Sequence, residues 1–157
     1  MSNRAQSHFL KIYNSSTVFE RWQNYYVNST ITYDDGTGNQ SWLYYPFVTN
    51  GLTSSSASGG NSISIEVPAT KKAVDAFVKA LARGYFCRIL VFEFDSRLSH
   101  AAPTSQTTII DFSGIVSNID GTFTSLSINL GSALSPVGAQ APPRRFTTFQ
   151  VGAPIRL

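Results

Sequence analysis

A chain of 157 residues, 42% hydrophobic and 13% aromatic, can bury one good core and is too short for two full domains. Only 13% of its residues are charged, against about 25% in an ordinary soluble domain, and the net charge is +3 with cations adjacent only at Lys71/Lys72 and Arg144/Arg145. That dispersal excludes the basic stripe of a nucleic-acid-binding protein, and the single Cys87 excludes an intrachain disulfide or a cysteine-built zinc or iron–sulfur centre.

Residues 1–24 carry Phe9, Ile12, Val18, Phe19 and Trp22 at no sustained period and read as an irregular N-terminal arm with room for a short strand or a helical turn. The start, Met1 to His8, has no apolar signal core, and no apolar run reaches about 18 residues. The expectation is a chain without a standard secretion signal, without a membrane span and without membrane contact. The Asn-x-Ser/Thr triplets at Asn14, Asn28 and Asn39 then read as turn and strand residues.

From Tyr25 to Tyr33 the side chains alternate as in a half-buried strand. Asp34-Asp35-Gly36-Thr37-Gly38-Asn39 predicts a hairpin turn into a second strand, Trp42 to Val48. Pro46 places that strand at an edge or a bulge, because proline cannot donate to the ladder. Thr53 to Asn61 is a small-residue loop. Ser62 to Val67 alternates again, and Pro68 and Thr70 then introduce a helix over about 70–83, with Thr70 as N-cap and Gly84 as the stop. Val74, Phe77, Val78 and Leu81 fall at i, i+3, i+4 and i+7 and predict the buried stripe.

Phe86 to Phe94 is apolar in both phases except at Arg88 and Glu93, as in a central strand covered by the helix on one side and a second sheet on the other. Within it Phe86, Ile89 and Val91 make Cys87 a buried strand residue. Ser99 to Gln106 is a loop. Thr107–Val116 and Thr122–Leu130 pair around a turn at Asn118-Ile119-Asp120-Gly121. The order of elements predicts a mainly β fold with one helix, an antiparallel sandwich or barrel.

Residues with chemistry are few. Asp34, Asp35 and Asn39 lack the ligand spacing of a calcium loop and read as the hairpin turn. Glu93 and Asp95 share a strand face, the least arrangement for paired carboxylates, but with Arg88 and Arg97 near in sequence they read as an ion pair or a subunit contact. His8 and His100 lie in loops without partners at metal spacing. Lys71 and Lys72 sit in the first helical turn, where the helix dipole disfavours cations, and read as a solvated or acid-facing surface. No nucleophile elbow, phosphate loop or zincin motif occurs.

The stretch 132–157 is the exception. Pro142 and Pro143 stiffen it, Arg144 and Arg145 can each clamp a carboxylate with two hydrogen bonds, and Phe146, Phe149, Val151 and Ile155 supply apolar anchors. It reads as a docking arm, with Pro142, Pro143, Arg144, Arg145, Phe146 and Phe149 as the partner interface.

The run from Tyr44 to Arg145, about two thirds of the chain, resembles the tail-tip and baseplate hub proteins of long-tailed bacteriophages, particularly the N-terminal part of the lambda-like minor tail protein L family. The resemblance rests on the early strand with Pro46, the helix Thr70–Arg83 before strand Phe86–Phe94, Phe112-Ser-Gly-Ile-Val116, Leu126 to Leu134, and Pro142-Pro143-Arg144-Arg145-Phe146. It implies a tail-tube type domain over 25–131 between arms 1–24 and 132–157. It also implies a homotrimeric or homohexameric ring joining tail tube or distal-tail ring to the hub, with tape-measure protein or genome in its lumen. The iron–sulfur-binding cysteines that follow in lambda-type proteins are not in this chain, so no cluster is carried over; with no catalytic or metal-binding motif in the sequence, no cofactor and no catalytic or metal residue is expected. A non-enzymatic virion component is the leading expectation. The rival is a carbohydrate-binding or glycan-degrading module stacking sugars on Tyr25, Tyr26, Trp42, Tyr44 and Tyr45.

Overall fold

The computed structural model describes residues 4–51, 63–95 and 107–132. Its elements are β1 (Arg4–Tyr13), β2 (Val18–Gln23), β3 (Thr30–Asp34), β4 (Asn39–Tyr44), β5 (Val48–Asn50), β6 (Ile63–Pro68), α1 (Lys71–Arg83), β7 (Phe86–Asp95), β8 (Thr107–Gly121) and β9 (Ser125–Ser132). The described residues are mainly β with one helix. Instead of two packed sheets, the strands form one mixed open sheet in the order β3-β4-β2-β1-β7-β8-β9-β6-β5. Among the described residues only the short β2–β4 pairing is parallel.

Residues 4–23 go beyond the sequence reading: they are two paired strands, not an irregular arm with one short strand or helical turn. β1 pairs along its whole length with central β7, and β2 pairs with β1. Phe9, Leu10, Ile12 and Trp22 are all buried. Adjacent apolar residues hide the two-residue period because β1 is covered on both faces. Leu10 and Ile12 join the main core, while Phe9 points to a second one.

The main core gathers Leu10, Ile12, Trp22, Cys87, Ile89, Val91, Ile128 and Leu130 beneath α1. The second core is Phe9, Leu90 and Phe92 under Ile31 and Trp42, so the other face of β1 and β7 is covered by the β3–β4 hairpin. Phe9 meets Trp42 and Phe92 edge-on at 5.1 and 5.2 Å. β7 is therefore doubly covered, as its sequence predicts, but by a hairpin of its own sheet rather than by a second sheet.

The strand expected at Tyr25–Tyr33 begins only at Thr30. Buried Gln23 captures the preceding backbone: its Oε1 accepts from the N–H groups of Tyr25 and Tyr26, and its Nε2 donates to the carbonyls of Tyr26 and Ser29. Asn28 completes this turn at φ 55°. The strand expected at Trp42–Val48 is split. Pro46 falls in the link between β4 and β5, which lie far apart in the strand order. The link binds across the sheet, with Tyr45 N–H donating to the Gln23 carbonyl at 2.9 Å and Asn24 Nδ2 to the Phe47 carbonyl at 3.1 Å.

Helix α1 starts and stops where the sequence predicts. The Thr70 side chain accepts from Ala73 N–H, and Gly84 closes the helix at φ 64° with its N–H on the Ala80 carbonyl. Its buried stripe differs: Ala73, Phe77 and Ala80 are buried, whereas Val74, Val78 and Leu81 are exposed. Two alanines let the helix axis approach the sheet closely, so the phase is set by the small residues and not by the largest apolar ones.

The β8–β9 turn is also displaced from its expected position. Asp120 and Gly121 stay in the ladder opposite Ser127 and Leu126, and the turn is Thr122-Phe123-Thr124. Thr122 closes it, its N–H donating to the Ser125 carbonyl and its Oγ1 accepting from Ser125 N–H. A Cβ at Gly121 would lie 2.6 Å from Leu126 Cδ2, the end of a side chain that would have to shift.

Candidate functional site

The residues expected to form the partner interface, Pro142, Pro143, Arg144, Arg145, Phe146 and Phe149, lie outside the described residues, as do Arg97, His100 and the loop 53–61. The strand that leads to the arm is described. In β9, Leu126, Ile128 and Leu130 pair with Val67, Ile65 and Ile63 of β6. Ile128 and Leu130 are buried, so β9 is a wall of the core.

What this wall and its helix leave outside is apolar. On α1, Val74 is 37%, Val78 51% and Leu81 42% exposed, one helical step round from the buried Ala73, Phe77 and Ala80. At the tip of the β8–β9 turn Phe123 is fully exposed. A groove of about 400 Å³ reaches the next residues, Thr124 and Ser125, and is lined also by Tyr44, Pro46, Phe47 and Glu66, among others.

The hairpin turn that could be mistaken for a calcium loop is a structural anchor. Asp34 Oδ1 accepts from Gly36 and Gly38 N–H, at 2.8 and 2.9 Å. Asp35 turns inward, nearly solvent-free, and forms an ion pair with buried Lys11 while also accepting from the Thr37 hydroxyl. Burial alone would raise the Asp35 pKa, but the bonds from Lys11 and Thr37 outweigh it and hold the carboxyl below its ordinary range. Arg88 extends the network, donating from one guanidinium nitrogen to the Asp35 carbonyl and from two to the Asp111 carboxylate at 2.9 and 2.8 Å. These charges bind each other and the hairpin.

Other residues also find structural places. Burial pushes the Cys87 thiol up to about 12. His8, expected in a loop, stands in β1 with Nδ1 2.6 Å from the Thr49 hydroxyl, and burial lowers its pKa. Lys71 pairs with Asp75 at 3.1 Å, and Lys72 reaches Glu20 of β2 at 3.3 Å. In the β1–β7 backbone register Glu93 lies opposite Gln6 and Asp95 opposite Arg4, while the Arg88 side chain turns to Asp111.

The five aromatics proposed for sugar stacking do not share a surface. Trp42 is fully buried in the second core, and Tyr45 is buried in the main core, stacked on Trp22 at 4.2 Å. The exposed apolar residues of α1 were hidden from sequence reasoning by their size, which argued for the interior. The signal that could have found them is the Ala73, Phe77, Ala80 spacing, a complete i, i+4, i+7 stripe in its own right.

No protein-family model matches the chain, and a search of curated proteins finds no match. Among the described residues, no helix is long and apolar enough to cross a membrane.

Proposed function

We propose that this protein is a structural, non-enzymatic component of a phage tail tip or baseplate, a ring subunit of tail-tube type connecting tail tube or distal-tail ring to the central hub. The observation that carries the reading is the apolar surface outside the core, Val74, Val78, Leu81 and Phe123, on a chain of low charge. Uncovered apolar side chains, three along one helix and one at a turn, mark surfaces that meet a further segment or another chain. The resemblance of Tyr44–Arg145 to tail-tip and baseplate proteins supplies the kind of assembly. Its subunits are copies of itself, three or six to a ring, and its neighbours are tube, distal-tail and hub proteins, with tape-measure protein or genome in the lumen. Arg144 and Arg145 clamp carboxylates of a neighbour in this reading.

Native mass spectrometry tests it. A trimer or hexamer is expected, and a protein that stays monomeric and is absent from purified tails would overturn the reading. Replacing Arg144 and Arg145 together by Ala is expected to impair assembly while leaving the unfolding midpoint of the monomer unchanged.

A further inference from the structure

We infer that the uncovered stripe of α1, Val74, Val78 and Leu81, is the seat of segment 146–157 of this chain. Three observations lead there. The apolar arc of the helix continues about 100° beyond the part that the sheet covers, because Val74 lies one residue on from Ala73. An apolar strip of this kind on a packed helix calls for a cover that brings no charge of its own.

Segment 146–157 has that composition. It contains Phe146, Phe149, Val151, Ile155 and Leu157, no acidic residue and the single cation Arg156. The strip is bordered by Lys71 and Asp75, which already satisfy each other. The contact is therefore one of apolar burial, and salt should not weaken it.

The strand register also delivers the chain to the right place. Ser132, the last residue of β9, pairs with Gly114, and Gly114 pairs with Cys87 at the start of β7. Tyr85, two residues before Cys87, donates to the Ala80 carbonyl of the last helical turn. The chain thus leaves the sheet at the level where α1 ends. From Ser132 to Phe146 is 14 residues by numbering (146 − 132), a reach of up to about 46 Å. The helix has 13 residues and is about 20 Å long, so every point of the stripe is within range.

The inference rests on the assembly reading only in treating 146–157 as an anchor; the occupant is the segment of the same chain, and trapping found only between two copies would overturn it. Disulfide trapping on the full chain tests it, pairing Val78→Cys with Phe149→Cys. Cys87 is fully buried with its thiol pushed up to about 12 and stays out of the exchange. Lys79→Cys with Phe149→Cys, one helical step further from the stripe, is the control.

Trapping at position 78 is expected to exceed the control by about fivefold or more, since docking raises the local thiol concentration, and to persist in high salt. Leu81→Cys should trap as well. Equal trapping at 78 and 79, or none at 78 and 81, would overturn the seat. Cross-links confined to one chain in a protein that never assembles would keep the seat and overturn the assembly reading; a ring that forms without them would do the reverse.

Discussion

Lys11 and Asp35, 24 residues apart, meet as a nearly solvent-free ion pair under the β3–β4 turn. Breaking one side of such a pair strands the other charge in a low-dielectric site, which costs about 3–5 kcal/mol. Asp35→Asn is therefore expected to lower the unfolding free energy by about that amount, measured by urea denaturation at neutral pH. The pH dependence has a definite sign. The Asp35 pKa lies below 3.8 in the folded state, so its contribution is complete above that value and is lost as pH falls through the folded one. Asp35→Asn should accordingly flatten, but not abolish, the acid limb, because Asp111 is also held low by Arg88.

Two glycines make a sharper residue-scale test. A Cβ at Gly114 would lie 2.5 Å from the Gly131 carbonyl oxygen and 2.7 Å from the Phe112 ring, whereas at Gly121 the close atom is the end of the Leu126 side chain. Backbone cannot yield as a leucine methyl can. Gly114→Ala is expected to cost about 1–3 kcal/mol, and Gly121→Ala clearly less, in paired thermal melts.

At the scale of the element, α1 separates two kinds of apolar residue that its sequence presents alike. Phe77 is fully buried against Trp22, while Val78 is half exposed. Phe77→Ala is expected to destabilise by about 3–5 kcal/mol. Val78→Thr, of the same shape and similar helix propensity, loses only the cover that segment 146–157 gives it and should cost about 1 kcal/mol or less in the same denaturation series. Equal losses at both positions would restore the stripe that the spacing alone suggests. The caps of α1 were legible because Thr70 and Gly84 act on backbone groups within a few residues. The phase of its buried face was not, because that depends on how closely a sheet built from distant segments lets the helix approach.

For the whole molecule, the sheet is open in strand order, yet β5 is held against β1 by the His8–Thr49 contact and by the 45–47 link. Burial lowers the His8 pKa, so the unfolded chain takes up that proton first as pH drops. Stability should be full above the ordinary value of 6.5 and decline below it until the folded value is passed. His8→Gln is expected to remove this slope, as checked by denaturation at about pH 7.5 and about pH 5.

The sequence by itself determined the β-rich class, the single helix and its caps, the Asp-Gly-rich hairpin turn and the buried Cys87. Those features are decided by backbone preference and short-range period, which act within a few residues. Only the tertiary structure decided that residues 4–23 are wall and not arm, that Pro46 separates two strands instead of bending one, and that Val74, Val78 and Leu81 face outward. Each depends on which distant segment covers a face. A doubly covered strand loses its alternation, and an apolar residue is buried only where another element arrives to cover it.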